Sequence, residues 1–306
     1  MHEHRCIDGE LAMNRTADTL AAIGQGTGDT NAMETWLEAA LELSANFPPG
    51  QISIGRPQQE RAVALLDEVQ AELKDVGQNI VEYFETSRPR YEYTLSLALE
   101  QNGGRVLDLG CSPGHLSMAL VKAGFEVHGI DLNAVWLAKY APGWPERLRI
   151  THTNIEQDPM PFPSDSFDLV IFTEVLEHIA ITDPCVVLGE IRRVLRPGGR
   201  MLLSTPNVAN LSNVVALIHG ENVFWPPEIF YGSVDRHNRE YTPSELLRLL
   251  ERAGFAQCML GYMNTWSNWN HTTASLFHRM LDGSERAERI GRHPLFNNTI
   301  FVAATR

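Results

Sequence analysis

Lysine is nearly missing from this 306-residue chain. Of its 25 basic residues only Lys74, Lys122 and Lys139 are lysines, and the formal charge is −13. Binding to a phosphate backbone needs clustered positive charge, so the balance argues against a non-specific nucleic-acid partner. Cysteine is also sparse. Cys6, Cys111, Cys185 and Cys258 form no Cys-x-x-Cys pair, which argues against a disulfide scaffold or a zinc–thiolate site. A reduced, cytoplasmic protein is expected. No apolar run reaches the roughly 18–20 residues that span a bilayer. The start, Met1-His2-Glu3-His4-Arg5, leads into no apolar stretch of a signal peptide. With 43% hydrophobic residues the chain can nevertheless bury a sizeable core.

The acidity is uneven. Residues 1–100 hold 17 acidic and 7 basic side chains, whereas the remaining 206 residues hold 21 and 18. The excess therefore belongs to an N-terminal part, read as a disordered tail over 1–31 and a helical cap over 32–86. Apolar residues at helical spacing predict helices over 33–44 and 57–84, and a further helix over 87–100. The two N-terminal helices are a cap or a homodimer arm. From residue 105 the pattern changes: short apolar runs at 105–109, 126–131, 148–151, 167–172 and 200–204 alternate with helical stretches at 115–123, 134–140 and 183–195. Such alternation predicts a parallel sheet covered on both faces. A helix over 243–253 and strands over 255–262 and 299–304 complete the chain.

Val106-Leu107-Asp108-Leu109-Gly110-Cys111-Ser112-Pro113-Gly114-His115 reads as a buried strand, a glycine turn and a helix start. Gly110 and Gly114 allow backbone to approach a ligand, and the helix start offers N–H groups. Asp131 ends the second strand 21 residues after Gly110, where a carboxylate can accept from both ribose hydroxyls of an adenosine. The spacing is Gly-x-x-x-Gly, not the Gly-x-Gly-x-x-Gly of a dinucleotide site, which leaves a nicotinamide oxidoreductase as a remote alternative.

Four further pieces follow in order. These are Asp131, Pro161-Phe162-Pro163-x-x-Ser166-Phe167-Asp168, Glu174-Val175-Leu176-Glu177-His178 and Arg193-Val194-Leu195-Arg196-Pro197-Gly198-Gly199. Together with the glycine turn they resemble the class I S-adenosylmethionine-dependent methyltransferases, in the group that includes the ubiquinone-biosynthesis enzymes. The resemblance covers roughly residues 88–306 and implies a methyltransferase domain over 87–306 with inserts at 207–239 and 264–283. It implies a Rossmann-like α/β fold whose seven-stranded, mostly parallel sheet has an antiparallel last strand beside the fifth, with the helical extension preceding it. It also implies S-adenosylmethionine as cofactor, held by Arg90, Asp108, Gly110, Cys111, Gly114, Asp131, Leu132, Asn154, Ile155 and Thr173. In that set the glycine turn faces the methionyl end, Asp131 the ribose and Asn154 the adenine amine, while Arg90 matches an arginine near the cofactor carboxylate.

Glu174, Glu177 and His178, three and four residues apart, would project to one side of a helical turn. With His237 from Asp235-Arg236-His237-Asn238-Arg239 they could form a two-Glu, two-His site for Mg²⁺ or Zn²⁺ that lowers the pKa of an acceptor hydroxyl. Metal-free catalysis by His178, His237 or Glu174, and a purely structural role, remain alternatives. Arg236 and Arg239 flank His237 and could hold an anionic group. The aromatic, Pro-rich insert with Phe224, Trp225, Phe230 and Tyr231 could roof a substrate pocket. The expected activity is O-methylation of a small-molecule acceptor: a glycan, a secondary metabolite or a quinone-like ring. The alternatives are 2′-O-methylation of small-RNA 3′ ends, N-methylation, and a non-catalytic cofactor-binding partner.

Overall fold

The computed structural model describes residues 47–73, 78–132, 148–210, 222–231, 236–264 and 297–306, together with 213, 214, 217, 220, 293 and 294. The expectations for residues 1–31, the helices over 33–44 and 134–140, and the insert at 264–283 lie wholly or almost wholly outside them.

In chain order the elements are α1 (Arg56–Glu72), α2 (Gln78–Ala98), β1 (Arg105–Leu109), α3 (His115–Lys122), β2 (Glu126–Asp131), β3 (Leu148–His152), β4 (Phe167–Thr173), a 3₁₀ turn (Leu176–His178), α4 (Pro184–Val194), β5 (Leu195–Pro206), a single helical turn (Pro227–Phe230), α5 (Pro243–Arg252), β6 (Ala256–Met263) and β7 (Thr299–Thr305). The strands form one seven-stranded sheet in the order β3-β2-β1-β4-β5-β7-β6. β1 to β5 pair in parallel, and β7 runs antiparallel to both β5 and β6. The mostly parallel sheet and the antiparallel last strand beside the fifth are as the sequence leads one to expect.

Successive strand residues face opposite sides, and the core follows that rule. Leu107, Leu109, Val170, Phe172, Met201, Leu203, Val302 and Ala304 join α4 and α5 in one buried layer. Val106, Leu169, Ile171, Leu202 and Ala303 join α1, α2 and α3 in the other. These N-terminal helices sit on the sheet itself, since Ala62, Leu66 and Val69 of α1 and Ile80, Phe84 and Leu95 of α2 are buried in that second layer.

Two element boundaries differ from the sequence pattern. The spacing predicts one helix over 57–84 and another over 87–100, whereas α1 ends at Glu72 and α2 runs without a break from Gln78 to Ala98, with Pro89 inside it. Phe84, Tyr91, Leu95 and Ala98 are buried along a single stripe at spacings of seven, four and three, and that stripe outweighs the proline. β5 begins at Leu195, earlier than expected, because Leu195 already pairs with Phe167 before a register shift that the Arg-Pro-Gly-Gly run introduces. The remaining helices start on strong signals. Asp183 accepts from Cys185 N at 2.9 Å, and Thr242 with Glu245 closes a capping box on α5.

Because Leu66 is fully buried between α1 and the sheet, Leu66→Ala should cost roughly 2–5 kcal/mol. Urea unfolding should show one transition at lower midpoint; an unchanged midpoint would mean that α1 does not share the core.

Candidate active site

The polar residues collect at the carboxyl edge of β1, β2, β3, β4 and β5. Gly110 leaves β1 at φ +72°, and a Cβ there would run into the Val175 methyl group. Gly114, at φ +95°, starts α3. Both positions need the left-handed backbone that glycine adopts at little cost. The turn is tied to β2: Gly110 N donates to Ile130 O at 2.8 Å, and Ser112 N donates to the Asp131 carboxylate at 2.8 Å. Asp131 is thus fixed beside the glycine turn. Leu132 follows it with its side chain exposed, and its carbonyl lies 2.9 Å from His152 Nε2. Cys111 is buried against Gly129, and burial pushes its thiol pKa up. Asn154 uses Oδ1 to accept from Glu156 N at 3.0 Å, and Ile155 packs on the core. An amide oxygen has two lone pairs, so this bond leaves Asn154 one acceptor position.

Asp108 points to the helix side of β1 and accepts from Ser117 Oγ at 2.5 Å. Burial raises its pKa to about 7, opposed by the Ser117 bond and reinforced by Asp131. Beside it lies a residue that the sequence did not single out. His115 is 1% exposed and ringed by Tyr83, Phe84 and Tyr91, and neither ring nitrogen has a hydrogen-bond partner among the described residues. Burial lowers its pKa to about 4.

Arg90, on α2, reaches across the sheet end. Its Nη1 lies 3.4 Å from Glu174, its Nη2 lies 3.3 Å from Ser87 Oγ, and its buried Nε has no partner among the described residues. Burial works against its charge, yet Glu174 keeps the guanidinium protonated well beyond the usual range. Thr173 ends β4, and Glu174 follows in the left-handed region at φ +54°. The Glu174 backbone N donates to Ser204 O at 2.9 Å, and its carboxylate accepts from Ser204 Oγ at 2.7 Å.

The single helical face expected for Glu174, Glu177 and His178 is therefore not what forms. Only Leu176–His178 is helical, and it is a 3₁₀ turn. Glu174 is turned to Arg90 and Ser204, while Glu177, His178 and His237 bring ligand atoms within 4.8 Å of one another. Glu177 is fully buried. Its Oε2 accepts from Thr205 Oγ1 at 3.0 Å, and its Oε1, with no hydrogen bond among the described residues, lies 4.0 Å from His178 Nε2. Burial, then the charge of Glu174, pushes its pKa well up. His178 Nδ1 lies 3.0 Å from the Arg236 carbonyl, and His237 Nδ1 lies 2.8 Å from Glu240 Oε1. A carbonyl and a carboxylate accept only, so each Nδ1 donates to its partner.

Backbone bonds explain how residues so distant in sequence meet. Asn238 N and Arg239 N donate to Glu177 O at 2.7 and 3.2 Å, and Asn238 Nδ2 donates to His178 O at 2.8 Å. Trp225 stands over His237 at 5.4 Å between ring centroids. Of the other insert aromatics, Phe224 and Tyr231 are exposed and Phe230 carries Arg236 over its ring. Arg236 donates to Phe230 O and Asn238 Oδ1, and Arg239 donates to Glu245. Arg239 is thereby paired with an acid, whereas the acceptors of Arg236 among the described residues are neutral. Thr205, Ser204 and Glu240 were not legible as site residues. Thr205 and Ser204 had one available signal, since they end a parallel strand on the ligand-binding edge.

The topology and the glycine turn define a nucleotide-type α/β site, and comparison with known proteins narrows it. The sequence profile of the methyltransferase domain family matches residues 69–257. The ubiquinone biosynthesis O-methyltransferase of Cereibacter sphaeroides is 34% identical over 167 residues, which are 54% of this chain and 65% of that protein. A probable S-adenosylmethionine-dependent methyltransferase of Mycolicibacterium smegmatis is 33% identical over 167 residues, 54% of this chain and 58% of its own. The chain thus spans just under two thirds of these relatives. Among solved structures, an Archaeoglobus fulgidus S-adenosylmethionine-dependent methyltransferase superposes with TM-score 0.51 at 18% identity, over 77% of this chain and 97% of the other. One from Mesorhizobium loti does so with TM-score 0.51 at 20% identity, over 71% and 98%. The chain belongs to the methyltransferase domain family, with the class I S-adenosylmethionine-dependent fold.

The raised pKa of Asp108 has a measurable consequence. An unfolded Asp titrates near ~3.9, so between that pH and about 7 the folded protein holds an extra proton. Stability from this group falls as pH rises through that window. His115 acts in the opposite sense below its unfolded pKa, but equally in both proteins compared. Asp108→Asn should therefore gain on the wild type by roughly 2–4 kcal/mol between pH 4 and 7. Urea unfolding at stepped pH measures the difference; a constant offset would show Asp108 to be ionised throughout.

Proposed function

We propose that this protein methylates the hydroxyl oxygen of a small, ring-bearing acceptor, with a phenol or catechol of the quinone-precursor type as the preferred class. The observation that carries the proposal is the meeting of Glu177, His178 and His237 at the sheet edge beside the glycine turn. The O-methyltransferase name of the Cereibacter sphaeroides relative supports the acceptor class. S-Adenosylmethionine supplies the methyl group. The turn from Gly110 to Gly114 would hold its methionyl end, with Arg90 and Asp108 nearby, Asp131 the ribose, and Leu132, Asn154 and Ile155 the adenine. Thr173 would line the space near the methyl group.

His178 and His237 can accept a hydroxyl proton through Nε2 because their Nδ1 atoms face Arg236 O and Glu240. The developing imidazolium at His237 is stabilised by the Glu240 carboxylate. Trp225 and the neighbouring insert would place an aromatic acceptor over His237 and keep water away. Positioning of oxygen, methyl carbon and sulfur in line supplies much of the rate.

The donors also fit a divalent cation. Glu177 Oε1 is buried with no hydrogen bond among the described residues, and both imidazoles are oriented through Nδ1 by a carbonyl or a carboxylate. A cation held by Glu177, His178 and His237 would lower the pKa of the acceptor hydroxyl. Two imidazoles and one carboxylate suit Zn²⁺ better than Mg²⁺, and Glu174, turned to Arg90, does not contribute. An RNA acceptor is less well supported, since the basic residues flanking His237 are Arg236 and Arg239 alone and Arg239 is paired with Glu245.

Calorimetry and product analysis test the proposal. S-Adenosylhomocysteine should bind, and NADH should not. Asp131→Ala should weaken that binding by about 10- to 100-fold through loss of charge-assisted ribose bonds. Formation of S-adenosylhomocysteine with a panel of alkylated catechols should fall by about 10²- to 10⁴-fold in His237→Ala. Product formation that survives in His178→Ala/His237→Ala would remove these histidines from the chemistry. For the cation, elemental analysis and Zn²⁺ calorimetry should give one equivalent in the wild type and none in His237→Ala, and retention by the variant would reject the site.

A further inference from the structure

One carboxylate of the domain is used in a way that neither cofactor binding nor proton transfer explains. Glu156 Oε2 accepts from three successive backbone N–H groups: Ala180 at 2.9 Å, Ile181 at 2.6 Å and Thr182 at 3.3 Å. A single oxygen collecting three donors behaves as the anion in a backbone nest. Its place in the chain gives it meaning. The three donors begin two residues after His178, where the 3₁₀ turn ends at Ile179 and before Asp183 caps α4. This loop has no regular structure of its own, and Ile181 at its tip is 68% exposed. Ile179 is buried in the core, but beyond it Ala180 and Ile181 are exposed, so packing does not hold the segment that Glu156 binds.

The other end of the tether is equally well defined. Glu156 N is held by Asn154 Oδ1 at 3.0 Å, and Asn154 O accepts from Gln157 N and Asp158 N at 3.1 and 2.9 Å. This turn follows β3, on the side assigned above to adenine. Glu156 thus spans from the adenosine side of the crevice to the exit of the turn that carries Glu177 and His178.

We infer that Glu156 is a positioning residue that sets the orientation of His178 by clamping residues 180–182 to the turn after β3. With the clamp in place the 3₁₀ turn is fixed at its exit by Glu156 and at its carbonyls by Asn238. The His178 ring then meets the Arg236 carbonyl through Nδ1 and presents Nε2 to the site. Without it residues 180–182, beyond the buried Ile179, are free to move, and the Nδ1 contact is lost for part of the time. The inference rests on His178 acting at the reaction centre for its functional consequence, but not for its test.

The test uses the full chain as wild type, Glu156→Ala, Glu156→Asp and Glu156→Gln, without added metal or cofactor. Amide hydrogen exchange reads Ala180, Ile181 and Thr182, and ¹H–¹⁵N long-range NMR reads the His178 tautomer, assigned with His178→Gln. The wild type should show protected amides and a single Nδ1–H ring. Glu156→Ala should expose the three amides by roughly 10-fold or more and give a mixed tautomer. Glu156→Gln keeps an acceptor oxygen and should restore the wild-type ring signature. Glu156→Asp, one methylene shorter, is the mild variant should the alanine variant not fold, and should give an intermediate result. Faster amide exchange with an unchanged His178 tautomer in Glu156→Ala or Glu156→Asp would overturn the inference, as would unchanged exchange. Calorimetry with S-adenosylhomocysteine on the same proteins separates the two readings. Its affinity should stay within about threefold in Glu156→Gln, and absence of binding in the wild type would count against the cofactor site alone.

Discussion

A parallel sheet covered on both faces leaves polar chemistry few places to go. In this protein the central strands are packed by helices on both sides, so Asp108, an ionisable side chain in the middle of β1, is buried, while Arg105 and Asp168 lie at strand starts. The carboxyl edge escapes that constraint. There the strand order runs outward from β1 through β2 and β3 in one direction and through β4 and β5 in the other, and a crevice opens between them. The glycine turn, Asp131, Asn154, Glu174 and Thr205 all lie at strand ends on that edge. The antiparallel β7, lying between β5 and β6, brings its first residue, Thr299, to the same edge opposite Pro206.

Electrostatics then divides the edge into two parts. Glu174 and Glu177 are three residues apart, and two carboxylates so placed would repel if both were ionised in a buried site. The structure separates their tasks. Glu174 leaves the turn through a left-handed backbone, pairs with Arg90 and accepts from Ser204. Glu177 goes inward to Thr205, where burial and the neighbouring charge favour its neutral form. Arg90 comes from a helix that precedes the sheet in sequence. The N-terminal helices therefore contribute a charge to the crevice as well as apolar area to the core.

Much of the fold was legible because it rests on local signals. Strand residues 105–109 and 126–131 carry near-continuous apolar runs, and α5 carries its own cap at Thr242 and Glu245. Turn chemistry likewise exposed Gly110 and Gly114. What the sequence hid was non-local or depended on backbone. Nothing near Pro89 reveals that helix α2 continues through it, because the stripe of buried residues matters only once the sheet is there. Spacing placed Glu174 with Glu177 and His178 on a helical turn. The actual φ of Glu174 sends it elsewhere, and a 3.6-residue period cannot anticipate a left-handed residue. His115 was hidden for another reason: a histidine after a glycine turn reads as polar, and only its ring of aromatic neighbours shows that it is buried and neutral.

The approach of His237 is the clearest case of function built from distant parts. It arrives because the backbone of residues 236–239 docks on the carbonyls of Glu177 and His178, a contact made by main chain and by the Asn238 amide. Side-chain chemistry at His237 can therefore vary without loss of the docking, while loss of Asn238 would displace both histidines from each other. The same insert carries Trp225 over the His237 ring and exposes Phe224 and Tyr231 to whatever approaches. The cofactor half of the crevice is thus fixed by the sheet, as the fold requires. Among the described residues, the insert meets the sheet edge through that run of hydrogen bonds and through the bridge from Asn207 to Tyr241. The glycine-turn end of the crevice and the histidine end are thus held by different parts of the chain, one by the sheet and the other by the backbone docking of residues 236–239.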